Sequence, residues 1–249
     1  VQNVKTITTA NGSSVGYMQF NSHISIAQEG LIDAVNKFKT DGIDELVIDF
    51  RYNGGGLLAL SAQLAYMVAG NANVNNRFYY QTQQNDKQPV DSPFPFIDEE
   101  IDYSTFFSTG ENLPDLNLSK VYVLSTSGTC SASEAFINGL KGIDAEVILI
   151  GDTTCGKPYG FYPTENCGTT YFTIQFRGVN NKNFGDYADG FAPAQPVGTL
   201  GDVMPGCPVS DDFSKLLGDP TEAMLATAIA YAETGTCPAA TAASSKTAA

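Results

Sequence analysis

Two stretches of the chain follow the same order of strand, turn and helix, and this repetition most constrains the fold. Residues 45–50 form a short apolar run that ends in a glycine-rich turn, and residues 57–68 continue with a helical pattern. Residues 120–124 are again rich in β-branched and aromatic side chains, and a turn of small residues separates them from a helix candidate at 131–140. Strands that alternate with helices predict an α/β domain whose functional loops lie at strand ends.

The remaining segments fit one large domain, which we assign to residues 1–237. Further predicted elements are a strand at 14–20, a helix at 27–38, a buried strand at 147–151, a strand at 171–177 and a helix from Asp219 to about Glu233. At the start of that helix Asp219 is the expected cap, Pro220 the first helical residue and Glu222 the third. Residues 71–118 lack sustained periodicity and predict an irregular insertion with a hairpin near 78–81. The composition of residues 238–249 predicts a disordered tail.

The charge balance argues against two classes of partner. The chain has 27 acidic and 13 basic residues, a net charge of −14 at pH 7. This charge repels phosphate backbones and anionic lipid, so neither nucleic acid nor a membrane surface is an expected partner. The apolar runs at 59–69 and 147–150 are well short of the roughly 20 residues that span a bilayer. The first residues lack the pattern of a signal peptide, and the numbering is expected to begin within a mature or trimmed product.

Five cysteines leave several disulfide patterns open, and the sequence alone fixes none of them. Spacing favours a Cys155–Cys167 bridge across a short Gly/Pro/Tyr segment and a Cys207–Cys237 bridge around the last helix, which leaves Cys130 free. Such bridges predict an oxidising location, that is periplasmic, secreted or attached to the cell envelope. Five reduced thiols in the cytosol are the competing interpretation.

Three successive glycines follow the second predicted strand, in the segment Asp-Phe-Arg-Tyr-Asn-Gly-Gly-Gly-Leu-Leu at 49–58. Glycines let the backbone approach a ligand closely and point N–H groups at an anion, as in an oxyanion hole or a phosphate-binding loop. A phosphate loop needs Lys-Ser or Lys-Thr directly after the glycines, whereas Leu57 and Leu58 follow here, which disfavours nucleotide binding. A plain tight turn is the structural alternative.

Ser131 and Lys157 are the candidate catalytic side chains. Ser131 opens a predicted helix and forms a Ser-x-x-Glu capping box with Glu134, so a purely structural role explains it equally well. The same position lies at the positive end of the helix dipole, which favours alkoxide or oxyanion character. Lys157 follows a buried strand, where a surface charge is the usual role of lysine. A lysine that acts as a general base must be neutral, and burial has to lower its pKa from about 10.4 to near 7.

His23 is the one histidine of the chain, so a Ser-His-Asp triad would have to use it. A surface or supporting histidine is the favoured interpretation. One histidine and no close pair of cysteines supply too few ligands for a metal site, and no cofactor is expected.

Three motifs, in this order, resemble the C-terminal processing (tail-specific) serine peptidases, a family with a ClpP/crotonase-like α/β core. Residues 49–58 are similar to the family segment Asp-Leu-Arg-x-Asn-x-Gly-Gly-Leu, residues 131–134 to its Ser-Ala-Ser-Glu box, and residues 151–157 to its Gly-Glu-x-Thr-x-Gly-Lys strand end. The resemblance covers about residues 14–235. It implies a secreted serine endopeptidase that acts on unfolded protein or peptide.

The resemblance also implies the roles of individual residues. Ser131 is the expected nucleophile and Lys157 its base, and the N–H groups of Gly55 and Ala132 are the expected oxyanion hole. Apart from what the resemblance implies, Asn53, Gly56 and His23 are candidates for supporting roles. An esterase that uses the same groups and a non-catalytic peptide-binding member of the family are the alternatives.

Two features depart from the family pattern. Many members carry a glutamine four residues after the lysine, where it orients the amine, and this chain has Phe161 there. Asp186 or Asp189 are candidates to orient Lys157 from a later segment, although turn formation is their favoured role. The family usually carries a PDZ domain before this core, and nothing in this sequence resembles one.

Overall fold

The computed structural model describes residues 1–87, 92–194 and 202–238. Within these ranges the strands are β1 (Gln2–Thr8), β2 (Ser14–Gln19), β3 (Glu45–Asp49), β4 (Phe78–Gln84), β5 (Ser92–Pro95), β6 (Glu99–Asp102), β7 (Phe107–Asn112), β8 (Lys120–Ser125), β9 (Glu146–Gly151), β10 (Tyr159–Gly160), β11 (Thr164–Asn166), β12 (Thr169–Tyr171), β13 (Phe176–Val179), β14 (Ala192–Ala194) and β15 (Val203–Pro208). The helices are α1 (Ala27–Asp41), α2 (Leu58–Ala69), α3 (Asn71–Val74), α4 (Ala132–Gly142) and α5 (Ala223–Thr234). No helix in these ranges is both long and apolar enough to cross a bilayer.

The central sheet has the strand order β1-β2-β3-β8-β9-β15-β14 in the described chain. β1 is antiparallel to β2, and the other neighbours are parallel. The middle strands are buried on both faces, which is why they appear in the sequence as nearly continuous apolar runs. Because β3, β8 and β9 are parallel neighbours, the loops that follow them meet at one edge of the sheet. The predicted α/β fold class is confirmed.

Helices cover both faces of this sheet, and alternate residues of each strand face opposite layers. On β3, Leu46 and Ile48 join the larger apolar core with side chains of α1, α2 and α4. Val47, between them, joins a second core with Met224 and Leu225 of α5. The two cores hold β3 from both sides, so the turn that follows it starts from a fixed position.

A second, antiparallel sheet with the order β10-β13-β4-β5 packs beside α4. Its β4 strand approaches the helix closely, because a β-carbon at Gly139 would lie 2.3 Å from the ring of Tyr79. Two short hairpins, β6–β7 and β11–β12, complete the described chain. The second sheet carries side chains from residues 78–95 to the same edge as the loops after β3, β8 and β9.

Most predicted elements are confirmed with small differences at their ends, and three predictions are wrong in detail. Residues 71–118 are not irregular: they contain α3 and the strands β4 to β7, although the hairpin predicted near 78–81 is confirmed as β4 with β5. These strands are short and several are exposed, so they lack the alternation that reveals a strand. The strand predicted at 171–177 is two strands of different sheets, β12 and β13, separated by residues 172–175.

The last helix begins three residues later than predicted. Glu222 is its cap, because the carboxylate accepts the N–H groups of Met224 and Leu225 at 3.2 and 3.1 Å. Asp219 instead accepts the N–H and hydroxyl of Thr221 in the preceding turn. Of the predicted tail, residues 239–249 lie outside the described residues. The assignment of one domain to residues 1–237 stays a prediction.

Candidate active site

The glycine turn, residues 51–56, starts from a buried ionic network. Arg51 is 1% exposed, and its guanidinium contacts the carboxylates of Asp49 at 2.7 Å, Glu222 at 3.0 Å and Asp211 at 3.0 Å. The Tyr17 hydroxyl donates to Asp49 at 2.7 Å, and burial together with that carboxylate raises the pKa of Tyr17, so the phenol stays protonated. A buried arginine is tolerated when carboxylates surround it in this way. The network fixes the end of β3 against the start of α5.

Asn53 connects the glycine turn to its surroundings. Its amide nitrogen donates to the carbonyl of Phe20 at 2.8 Å, and its Oδ1 accepts the N–H of Gly55 at 3.0 Å. The Asn53 carbonyl accepts the N–H of Cys130 and the hydroxyl of Ser133, both at 3.0 Å. These bonds join the glycine turn to the segment that carries Ser131.

His23 lies behind the glycine turn and is fully buried. Its N–H donates to the carbonyl of Gly55 at 3.0 Å, and its carbonyl accepts the N–H of Leu57 at 2.8 Å. The imidazole Nδ1 lies 3.1 Å from Asn53 Oδ1, which assigns the proton to Nδ1. Burial lowers the pKa of His23 to about 4, so the ring is neutral at physiological pH. His23 thus contacts the turn from behind and is not among the described residues that line the cavity beside Ser131.

Ser131 is the N-cap of α4, in the serine turn (residues 126–131). Its φ of 57° and ψ of −111° are a strained conformation for a residue other than glycine. The predicted capping box with Glu134 is confirmed, and the Ser131 N–H donates to Glu134 Oε2 at 2.9 Å. Gly55 lies directly against this turn: a β-carbon on it would be 2.8 Å from the Ala132 nitrogen. As the first residue of α4, Ala132 has no intrahelical acceptor for its N–H.

Glu134 has a wider role than the predicted cap, because its buried carboxylate also holds the lysine loop (residues 152–158). Oε1 accepts the hydroxyl of Thr154 at 2.6 Å and the N–H of Gly156 at 2.7 Å. Oε2 accepts the N–H of Lys157 at 2.9 Å as well as that of Ser131. One carboxylate therefore orders the backbone at both candidate catalytic residues. The sequence motif indicated the cap alone, since Thr154 and Gly156 are distant in the chain.

One predicted disulfide is wrong and the other is confirmed. Cys130 bonds to Cys155, with their Cα atoms 5.2 Å apart, and Cys167 is the free, exposed thiol. The parallel pair β8 and β9 brings Cys130 and Cys155 together, whereas Cys167 lies at the turn of the exposed β11–β12 hairpin. The bridge between Cys207 and Cys237 forms as predicted.

A possible metal site at the same place is ruled out by this bond. Ligand atoms of Cys130, Glu134 and Cys155 lie within 4.8 Å of one another, close enough to surround an ion. Metals bind cysteine as the thiolate, and the two sulfurs are joined in a disulfide. The cluster therefore does not form a metal site in this oxidised state.

Ser131 and Lys157 line the same cavity, which has a volume of about 560 Å³. Lys157 is half-buried, and its Nζ lies 5.1 Å from the ring centroid of Phe161, the residue in the family glutamine position. In the described chain, Lys157 is the one charged residue of the lining. The rest is mainly apolar and aromatic: Gly56, Leu57, Leu58, Ala59, Tyr80, Thr82, Phe94, Phe106, Ala132, Ala135, Pro158, Tyr159, Gly160, Phe161, Tyr162, Pro163, Phe176 and Tyr187.

The two candidate aspartates do not line the cavity that Lys157 lines. Asp186 and Asp189 are exposed, and neither is in the described lining of the cavity. Tyr187, between them, is buried and does line it, and it stacks on Phe191 at 4.6 Å between ring centroids. The segment reaches the lysine loop through its backbone, where a β-carbon on Gly156 would lie 2.1 Å from the carbonyl of Ala188.

Comparisons with known proteins agree with the motifs. Residues 14–166 match the family described as peptidase family S41. Two carboxyl-terminal-processing proteases, from Picosynechococcus sp. and Synechocystis sp., are each 26% identical to the chain over 147 and 146 residues. These matches cover 59% of this chain and 30% and 29% of the relatives, so the chain spans less than a third of the length of either.

Solved structures that resemble this chain also include proteases of family S41. An S41 protease structure from Bacteroides fragilis NCTC 9343 matches 94% of this chain and 57% of its own, with a TM-score of 0.76 and 26% identity. The photosystem II D1 C-terminal processing protease shares the fold, with a TM-score of 0.55 and 21% identity over 76% of this chain and 45% of its own. The resemblance to C-terminal processing peptidases is confirmed. The family match covers more than half of the chain, which therefore belongs to peptidase family S41.

Proposed function

We propose that this chain is the catalytic core of a serine endopeptidase, with Ser131 as nucleophile and Lys157 as general base. The observation that carries the proposal is that both side chains line one cavity, with Ser131 held in a strained conformation at the start of α4. A strained residue between a strand and a helix presents its side chain to the cavity, and such strain is concentrated at functional sites. Membership of family S41 supports the same chemistry.

The proposed reaction is acyl transfer. Neutral Lys157 takes the Ser131 hydroxyl proton while Oγ attacks the carbonyl carbon of the substrate. The lysine then returns the proton to the leaving amine, and water hydrolyses the acyl-enzyme. Lys157 is half-buried without substrate, and a peptide that fills the apolar cavity would remove more water from its amine. Loss of water favours the neutral form that a base requires.

The oxyanion of the tetrahedral intermediate is proposed to bind the N–H groups of Ala132 and the glycine turn. Gly55 is the predicted second donor, but its N–H donates to Asn53 Oδ1 at 3.0 Å in this structure. The oxyanion would share or replace that bond. Gly56, which lines the cavity, is the neighbouring donor that supports the site.

The test is hydrolysis of an unfolded protein and of matched peptide and ester substrates by the wild type, Ser131→Ala and Lys157→Met. We expect both variants to remain folded and to lose activity by about 1,000-fold or more, as when a catalytic nucleophile or base is removed. Equal turnover by Ser131→Ala would refute the assignment. Hydrolysis of esters without peptides would identify an esterase, and failure of a serine-directed phosphonate to label Ser131 would identify a non-catalytic binding protein.

We propose an oxidising location, outside the cytosol, for this chain. Two disulfides support it, because such bonds persist in secreted and periplasmic proteins and are rare in the cytosol. Detection of the protein in a periplasmic or culture-medium fraction with one titratable thiol would test this. Three or five titratable thiols in freshly isolated protein would contradict it.

A further inference from the structure

The two candidate catalytic residues lie on different loops, so the proposed reaction depends on how those loops are held together. The serine turn follows β8 and the lysine loop follows β9. Three contacts join them: the carboxylate of Glu134, a hydrogen bond from Cys155 N–H to the carbonyl of Thr129 at 3.0 Å, and the Cys130–Cys155 disulfide. The disulfide is the covalent one of the three.

The position of this disulfide relates it directly to the chemistry. Cys130 is the neighbour of Ser131 in the chain, and Cys155 precedes Lys157 by two residues. The lysine loop has no regular secondary structure between β9 and β10, so its shape depends on these contacts and on the hydrogen bonds between Thr154 and Phe191. At the tip of the lysine side chain, Nζ lies 5.1 Å from the ring centroid of Phe161, which occupies the position of a family glutamine that could donate or accept a hydrogen bond.

We propose that the Cys130–Cys155 disulfide is a positioning element of the catalytic site: it holds the lysine loop against the serine turn, and its reduction lowers turnover. The inference rests on the proposed peptidase function. A dithiol reductant supplies two electrons and two protons, the S–S bond breaks, two cysteine thiols form and the dithiol becomes a cyclic disulfide. Cys155 is exposed, so a reductant can reach the bond. The Glu134 carboxylate and the hydrogen bond from Cys155 N–H to the Thr129 carbonyl then remain as noncovalent links, which allow the loops to shift without unfolding.

The second disulfide provides a matched control within the same chain. Cys207–Cys237 joins β15 to the segment after α5, and Cys207 belongs to the core on the α5 side of the sheet. Neither cysteine lines the cavity of Ser131 in the described chain. Both bonds close loops of similar length, with separations of 25 and 30 residues, so similar stabilisation of the folded state is expected from each.

The experiment compares two double variants, Cys130→Ser/Cys155→Ser and Cys207→Ser/Cys237→Ser, in kcat, KM and melting temperature on one peptide substrate. Each double variant leaves Cys167 as the one cysteine outside the remaining bond. We expect the first to lose kcat by about 10- to 100-fold with KM within about twofold, because small displacements of catalytic groups cost this much. The second should melt at a lower temperature and keep kcat within about twofold.

Reduction provides a second measurement if the first variant does not fold. In the Cys207→Ser/Cys237→Ser protein the remaining disulfide is Cys130–Cys155, so dithiothreitol with a metal chelator acts on that bond alone. Activity should fall as two thiols appear and return on reoxidation. Unchanged kcat in the folded Cys130→Ser/Cys155→Ser variant, or in the reduced protein, would overturn the proposal. If Ser131→Ala is inactive in the same assay, such a result leaves the peptidase function standing, whereas an active Ser131→Ala variant refutes that function instead.

Discussion

Gly55 lies so close to the serine turn that a side chain at this position has no space. A β-carbon would be 2.7 Å from the carbonyl oxygen of Cys130 and 2.8 Å from Ser131 Cβ, and the φ of 95° is unfavourable for other residues. Two of the three nearest atoms, the Cys130 carbonyl oxygen and the Ala132 nitrogen, belong to the backbone, which cannot move aside as a flexible side chain can. The turn and Ser131 must therefore shift if this residue changes.

We expect Gly55→Ala to lower kcat/KM by about 100-fold, the cost of misplacing a nucleophile and an oxyanion donor by about 1 Å. Gly54→Ala is the matched control, since a β-carbon on Gly54 meets no atom within 4 Å. Steady-state kinetics of both variants on one peptide would measure the difference. Equal activity of the two proteins would show that the contact is not needed for catalysis.

His23 makes stability depend on pH, because its ring is buried in the neutral form. Burial lowers its pKa in the folded state to about 4, below the ordinary value of 6.5. Above pH 6.5 neither the folded nor the unfolded state binds the proton, so the contribution to stability is fully present. As pH falls from 6.5 to 4, the unfolded state takes up a proton that the folded state excludes, and about 3 kcal/mol is lost.

Urea unfolding of the wild type and His23→Asn between pH 7.5 and 4.5 would test this. Asparagine keeps an N–H donor near Asn53 Oδ1 and does not titrate, so the variant retains the other pH-dependent terms. As pH falls, we expect the free energy of unfolding to decrease less for the variant than for the wild type. A difference that is constant across this range would contradict the buried neutral histidine.

At the scale of elements, the second sheet supplies one wall of the cavity. Tyr80 and Thr82 of β4, Phe94 of β5 and Phe176 of β13 all line it, opposite the loops that carry Ser131 and Lys157. An apolar wall gains free energy when it covers an apolar side chain and loses it when it covers a charge. If the chain is the proposed peptidase, we therefore expect the wall to favour substrates with large uncharged side chains near the scissile bond.

We expect peptides with Phe or Leu beside the cleavage site to have kcat/KM at least about 10-fold above those with Asp or Lys. Phe94→Ala should reduce that preference, because it removes apolar area from the wall. Phe107→Ala, at an exposed aromatic residue outside the described lining, is the control. A peptide panel measured with the three proteins tests the expectation, and an unchanged preference in Phe94→Ala would show that the wall does not select substrate.

At the scale of the whole molecule, the sequence predicts those features correctly whose residues are neighbours in the chain as well as in space. The buried parallel strands have continuous apolar runs, and the turns after β3 and β8 carry recognisable small residues, so the fold class and the neighbourhood of Ser131 were predictable. A hairpin near 78–81 was predictable, but its place in the cavity wall was not, because that place depends on the pairing of β4 with the distant strand β13. Cys155 was paired with Cys167 by distance along the chain, whereas strand pairing places it beside Cys130.

The ionic network of Arg51 joins residues that are far apart in the sequence, from Asp49 to Glu222. Glu222 is fully buried, and it both contacts Arg51 and caps α5. Glu222→Gln keeps an oxygen for the cap and removes the charge, so we expect it to destabilise the protein by about 3 kcal/mol, the lower end of the range for breaking a buried ion pair. The free energy of unfolding in urea measures this loss.

The control is Lys37→Ala, in the exposed Lys37–Asp41 pair of α1, which should leave the midpoint of urea unfolding nearly unchanged. An equally unchanged midpoint in Glu222→Gln would contradict the prediction.

Because of this network, the glycine turn cannot be transferred by itself to another protein. The turn is continuous in sequence, but the carboxylates of Asp211 and Glu222 that surround its arginine come from residues beyond the family match at 14–166. Residues 49–58 grafted alone onto another α/β scaffold would bring a buried guanidinium with Asp49 as its one counter-charge. The transplantable unit is therefore discontinuous: the turn together with the carboxylate that begins α5.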